Sequence, residues 1–104
     1  MKPHEIAACV KKMFTEHPEK FRQGEYFSEG GYCALGAAML CVNPEMDAED
    51  FTGDVPLPVG QFATSFHEVN EGRWLFRVND EEGLPAILAG LEKMIEKGLA
   101  DETH

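Results

Sequence analysis

The chain has 104 residues, of which 43% are hydrophobic, and it carries a formal net charge of −10 at pH 7. This length fits one domain with a modest core, and no stretch reaches the ~18 consecutive apolar residues that a transmembrane helix requires. The amino-terminal sequence lacks the apolar run of a secretion signal. We therefore predict a soluble, cytoplasmic protein.

The charges are distributed unevenly along the chain. Residues 1–24 hold five basic and three acidic side chains, whereas residues 25–72 hold nine acidic side chains and no Lys or Arg. Such a segment cannot neutralise phosphates, which argues against direct binding to nucleic acid or to an anionic membrane. A protein partner with a basic surface is its natural complement. There are two alternatives to a basic partner: the acidic composition serves solubility alone, or the segment imitates a nucleic-acid backbone.

The first predicted element is an amphipathic helix over residues 3–17, in which apolar residues recur at three- and four-residue steps. Pro3 suits its first turn and Pro18 ends it. The next segment is rich in aromatic residues and punctuated by glycine. It predicts a short hairpin that turns near residues 28–31.

Residues 33–42 contain no charged side chain. This composition predicts a central, buried helix, in which the small residues Gly36, Ala37 and Ala38 allow another backbone to approach closely. Asn43-Pro44 ends this helix.

Residues 45–60 are predicted to form an acidic, partly irregular connection. An EF-hand loop that began at Asp47 would have Thr52 at the position of its glycine and Pro58 at the position of its glutamate. We therefore predict no calcium site here. The carboxylates are instead candidate contacts for a basic partner: Glu45, Asp47, Glu49, Asp50 and Asp54.

Three elements are predicted in the remaining sequence. A weaker helix spans residues 61–70, and an alternating pattern over 73–78 favours a half-buried strand, with a helical turn as the alternative. The final helix spans residues 84–98, begins near Pro85 and ends at Gly98. The predicted fold is a single, mostly helical α+β domain. In it the outer helices pack on the charge-free helix, and the strand at 73–78 joins the aromatic segment in a small antiparallel sheet.

Two short motifs resemble those of a known group of proteins. Tyr32-Cys33-Ala34-Leu35-Gly36 and the downstream pair Asn79-Asp80, which precedes an Ile/Leu-rich helix, are similar to motifs of small uncharacterised proteins from bacteriophages and bacteria. The sequence departs from that pattern at Leu84-Pro85, where the group has Ser/Thr-Phe. The resemblance implies a compact intracellular accessory protein and assigns no catalytic residue.

The three cysteines are predicted to be reduced thiols. Cys33 and Cys41 are eight residues apart, or roughly 12 Å along one helix, which is too far for a disulfide. Cys9 could reach either one only through a tertiary contact. No Cys/His cluster has metal-ligand spacing, so we predict no bound metal and no cofactor.

Cys33 has two possible roles. At a helix start it could act as a nucleophile with His67 as the base and Asn79 as the orienting group, in the chain order of papain-like hydrolases. Between Tyr32 and Ala34, however, cysteine is commonly a small packing residue. We favour packing.

Asn79-Asp80 also has two possible roles. A pair of this kind before a helix most often caps it, and we favour a cap on the last helix. The alternative is a polar binding pocket that Asn79 and Asp80 form with Tyr32. Taken together, the sequence predicts a non-enzymatic protein that binds a basic protein partner, with the cysteine hydrolase and the nucleic-acid mimic as alternatives.

Overall fold

The computed structural model describes residues 2–24, 26–28, 30–46 and 55–102. These residues form five α-helices, a short 3₁₀ helix at Pro18–Lys20 and one two-stranded antiparallel sheet. The predicted mostly helical α+β class is therefore confirmed. None of the described helices is both long and apolar enough to cross a bilayer. In chain order the elements are α1 (Pro3–Glu16), β1 (Phe27–Ser28), β2 (Gly31–Tyr32), α2 (Ala34–Val42), α3 (Leu57–Val69), α4 (Leu75–Glu81) and α5 (Leu84–Glu102).

Helix α1 lies at the centre of the helical packing. Its buried residues, Ile6, Val10 and Phe14 among them, follow the predicted helical spacing, and α1 packs against α2, α3 and α5. Helix α2 is buried, as its lack of charge predicts, but its main contacts are with α1, α3 and α4. The arrangement thus differs from the predicted one in that α5 packs mainly on α1 rather than on the charge-free helix.

The predicted hairpin near residues 28–31 is confirmed. Phe27 pairs with Tyr32 and Ser28 pairs with Gly31, and the turn between them includes Gly30 at φ 80°, a backbone angle that glycine adopts without steric cost. The Tyr32 ring packs on Phe14 with 5.5 Å between ring centroids. The hairpin is thereby fixed to the core through α1.

The predicted strand over residues 73–78 is wrong, because this segment enters helix α4. Leu75, Val78 and Asn79 are buried in α4 at helical spacing, whereas Trp74 and Phe76 are exposed. A run of six residues can satisfy both a two-residue and a 3.6-residue period, and packing of Leu75 and Val78 into the core selects the helix. The sheet consequently consists of β1 and β2 within the described residues.

Two predicted helix boundaries are also wrong. Helix α3 begins at Leu57, inside the segment predicted as a connection. Pro58 lies in its first turn, where the N–H that proline lacks would have no intrahelical partner. Helix α5 continues past Gly98 to Glu102. A Cβ at Gly98 would overlap the His4 side chain, so this glycine allows α1 and α5 to approach closely rather than ending the helix.

The prediction of three reduced thiols is wrong as well. Cys9 of α1 and Cys41 of α2 form a disulfide with 6.2 Å between their Cα atoms, and Cys33 is the free cysteine. The spacing argument correctly separated Cys33 from Cys41. It could not detect the pairing with Cys9, because that pairing depends on how two helices pack.

Candidate functional site

The buried side chain of Asn79 joins three segments of the chain. It is 1% exposed, and its Oδ1 accepts a hydrogen bond of 2.9 Å from the backbone N–H of Ala34, the first residue of α2. Its Nδ2 donates to the carbonyl oxygen of Arg22 and to Oδ1 of Asp80, each at 3.0 Å. Asn79 therefore caps a helix, but the helix is α2 rather than the predicted α5.

Asp80 and Gln23 fix the segment before the hairpin to the end of α4. The backbone N–H of Gly24 donates to Asp80 Oδ1 at 2.7 Å. Gln23 Nε2 donates to the carbonyl oxygens of Asn79 and Asp80, at 3.1 and 3.3 Å. Carbonyls in the last turn of a helix lack intrahelical partners, so these bonds complete the carboxyl end of α4 and hold residues 22–24 against it.

A cavity of about 220 Å³ opens where these segments meet. We call it the α4 cavity. Two aromatic residues at the cavity are partly exposed to solvent, Tyr26 at 39% and Phe76 at 57%. The cavity therefore combines apolar walls with the carboxylate of Asp80, and its lining residues are Gly24, Tyr26, Cys33, Leu35, Phe76, Asn79 and Asp80.

Cys33 lies at this cavity as the N-cap of α2, where its Sγ accepts a hydrogen bond of 3.4 Å from the backbone N–H of Gly36. Burial raises the pKa of the Cys33 thiol, and the nearby Asp80 carboxylate adds to that effect. Because the thiolate is the nucleophilic form, this environment disfavours the reactive species at neutral pH.

The structure brings together two members of the suggested hydrolase triad. Cys33 and Asn79 both line the α4 cavity. His67 does not line it, but stacks on Trp74 with 4.0 Å between ring centroids. Both polar atoms of the Asn79 side chain already bond to backbone groups. Among the described residues, the cavity thus presents Cys33 without a neighbouring histidine base.

The other candidate binding residues lie at different places. Tyr32 is 8% exposed and packs in the core, where burial raises the pKa of its phenol. Among the residues that the structure describes, the aromatic residues at the cavity are Tyr26 and Phe76. Glu45 is exposed in the turn after α2. The remaining predicted contacts fall outside the described residues: Asp47, Glu49, Asp50 and Asp54.

Sequence reasoning missed Tyr26, Leu35 and Phe76 as cavity residues. The strand predicted over residues 73–78 would place Phe76 on the same face as Trp74 and Val78. In helix α4, where Leu75, Val78 and Asn79 are buried, Phe76 instead points away from the core. A helical interpretation of this segment could therefore have found it. No comparable signal distinguishes Tyr26 from the other aromatic residues of its segment.

The basic residues of α4 and its N-terminal flank are already paired with carboxylates. Arg73 forms an ion pair with Glu82 at 2.7 Å, and Arg77 lies 3.9 Å from Glu81. Both arginines line a different depression, which Asp80 does not share. Within the described residues, no group of three or more His, Cys, Asp or Glu side chains could hold a metal ion.

Comparison with known proteins finds no family model, no curated protein and no solved structure that matches this chain.

Proposed function

We propose that this chain is a non-enzymatic interaction protein that binds a protein partner with a basic surface. The observation that carries the proposal is the charge layout: residues 25–72 hold nine acidic side chains and no Lys or Arg. A surface with one sign of charge attracts an oppositely charged partner and accelerates its association.

The described part of the acidic segment supports this proposal. Glu45, Glu68 and Glu71 are exposed to solvent, so their carboxylates can contribute to the field that a partner meets. Downstream, the positive charges of Arg73 and Arg77 are offset by their ion pairs with Glu82 and Glu81. These four side chains therefore add no net charge next to the acidic segment.

The test is capture of partners by the purified protein, followed by binding measurements with each purified partner. One variant neutralises the acidic middle with Glu45→Gln, Asp47→Asn, Glu49→Gln, Asp50→Asn and Asp54→Asn. A matched variant has the same net charge but neutralises carboxylates outside residues 25–72: Glu5→Gln, Glu16→Gln, Glu81→Gln, Glu92→Gln and Glu96→Gln. Two of these control carboxylates take part in surface ion pairs, whose contribution to stability is small.

We expect a basic partner that binds the wild-type protein and the matched variant but loses most of its affinity for the variant neutralised at residues 45–54. Retention by that variant would contradict the proposal. Equal losses with both variants would show that net charge, rather than this segment, controls binding.

Two expectations from the sequence bear on the kind of partner. If DNA or RNA displaces the partner, the acidic segment acts as a nucleic-acid mimic. The motif resemblance to small bacteriophage and bacterial proteins agrees with an accessory role of this kind. A cytoplasmic location stays a prediction. Reduced cysteines would agree with it, but Cys9 and Cys41 form a disulfide, a bond that is rare in cytosolic proteins.

A further inference from the structure

We propose that the α4 cavity binds an arginine side chain of the basic partner. This inference rests on the proposed function, because it names the group of that partner which would enter the cavity. The cavity offers about 220 Å³ and combines aromatic walls with a fixed carboxylate.

The walls of the α4 cavity include two aromatic side chains. Tyr26 and Phe76 line the cavity and are 39% and 57% exposed. Aromatic faces attract cations, and the guanidinium of arginine can in addition stack on them because it is planar. Tyrosine and arginine are also both enriched among the residues that contribute most to binding at protein interfaces.

Asp80 supplies the cavity with a carboxylate whose position is fixed before any ligand binds. Its Oδ1 accepts hydrogen bonds from the backbone N–H of Gly24, at 2.7 Å, and from Asn79 Nδ2, at 3.0 Å. Within the described residues its Oδ2 accepts no hydrogen bond. A carboxylate held in this way loses little conformational freedom when it binds a cation.

The charge at the cavity also favours a cation. None of the described residues that line it is a Lys or Arg, and burial raises the pKa of the Cys33 thiol, which favours its neutral form. Among the described lining residues, Asp80 is therefore the charged group. An apolar side chain would place this carboxylate against hydrocarbon and remove some of its water, at a cost in free energy.

Arginine fits this lining better than lysine does. Its aliphatic stem can contact Leu35 and the aromatic walls while its charged head reaches the carboxylate. The planar fork of the guanidinium can bond a carboxylate and stack on an aromatic ring, whereas the compact ammonium of lysine is more strongly hydrated.

The test is a titration of the ¹⁵N-labelled protein with three capped amino-acid amides, followed by two-dimensional NMR. The three probes are arginine, its uncharged isostere citrulline, and norleucine. We expect arginine to shift the amide signals of Gly24, Leu35, Phe76 and Asp80, and to bind about tenfold more tightly than citrulline, as the loss of charge-assisted and cation–π contacts implies. Equal binding of citrulline or norleucine would overturn the assignment to arginine.

Two variants with matched controls locate the interaction. Asp80→Asn keeps an oxygen that can accept from Gly24 but removes the charge, and Glu81→Gln removes a neighbouring charge outside the cavity. Phe76→Leu removes a ring of the cavity, and Trp74→Leu removes a nearby exposed ring that does not line it. We expect the cavity variants to lose the arginine shifts and the controls to keep them. Retention of the shifts in Asp80→Asn would contradict the proposal.

This experiment separates failure of the inference from failure of the proposed function. The small probes report on the cavity alone, and the variant neutralised at residues 45–54 is expected to bind capped arginine as the wild-type protein does. If arginine causes no shifts while the partner still depends on those carboxylates, the cavity assignment fails and the proposed function stands. If capped arginine binds in the cavity but the variant neutralised at residues 45–54 keeps its affinity for the partner, the proposed function fails and the cavity assignment stands.

Discussion

Replacement of Asn79 by alanine is expected to destabilise the protein strongly, although Asn79 is a polar residue on a short helix. The substitution leaves the backbone N–H of Ala34 without its acceptor and the carbonyl of Arg22 without its donor. Ala34 is 0% exposed, so water cannot readily replace the missing partner. An unsatisfied buried polar group costs about 1–3 kcal/mol. The bond to Ala34 is buried, whereas the bond to Arg22 is part-buried, so we expect a loss of about 2–4 kcal/mol in the free energy of unfolding.

Urea denaturation followed by circular dichroism measures this loss, and a thermal scan should show a melting temperature lower by about 10 °C or more. Asn79→Asp is the matched variant, because an aspartate keeps an acceptor for Ala34 but cannot donate to Arg22 and places a second carboxylate beside Asp80. The like charge raises the pKa of the new carboxyl in the folded state. A carboxyl whose pKa is higher in the folded than in the unfolded state stabilises the fold at low pH and loses that contribution as the pH rises. Relative to the wild-type protein, Asn79→Asp should therefore lose more stability at neutral pH than at about pH 4.

The reasoning is refuted if Asn79→Ala changes the unfolding free energy by less than about 0.5 kcal/mol, the range of an ordinary surface substitution. It is also refuted if Asn79→Asp is equally destabilised at both pH values. The first result would mean that the contacts of Asn79 with Ala34 and Arg22 are not essential to the fold. The second would mean that repulsion between the new carboxylate and Asp80 does not contribute to the loss.

Three further predictions follow from other contacts. Reduction of Cys9–Cys41, which closes a separation of 32 residues, should lower the free energy of unfolding by about 3–4 kcal/mol; denaturation with and without reductant measures this, and thiol titration of the unreduced protein in urea should find Cys33 alone. Gly36→Ala should destabilise despite the better helix propensity of alanine, about 1 kcal/mol, because its Cβ would overlap the carbonyl oxygen of Tyr26; a higher urea midpoint would show that the backbone can move aside. Iodoacetamide should modify Cys33 much more slowly in the native protein than in urea, because burial raises the pKa of its thiol; rapid native modification would instead favour the hydrolase hypothesis.

The sequence predicts those elements whose pattern is long enough to have one interpretation. Helix α1 repeats its apolar spacing over four turns, and the absence of charge in α2 requires burial, so both were found. The hairpin was found because Gly30-Gly31 interrupts an aromatic segment. In each case the local pattern and the tertiary environment favour the same structure.

The errors occur where a short pattern fits two structures. Residues 73–78 alternate as a strand does, but the contacts that bury Leu75 and Val78 exist only in a helix. Pro58 lies in the segment predicted as a connection, but it is equally suited to the first turn of α3. Only the packing of neighbouring elements decides between such alternatives.

The candidate site was predicted in part. Asn79, Asp80 and Cys33 were selected from the sequence, and the structure places them around one cavity. Their partners could not be predicted, because Asn79 bonds to Ala34 and Arg22, which are 45 and 57 residues away in the chain. The Cys9–Cys41 disulfide was missed for the same reason, since it joins two helices across a separation of 32 residues.

The most direct test of the central claim is the salt dependence of binding between the protein and its purified partner. Interactions between exposed charges weaken as the Debye length falls from about 10 Å at 0.1 M salt to about 3 Å at 1 M. We predict that affinity decreases steeply over this range for the wild-type protein, and much less for the variant neutralised at residues 45–54. An affinity that stays constant or increases with salt would contradict the claim that the acidic segment binds a basic surface.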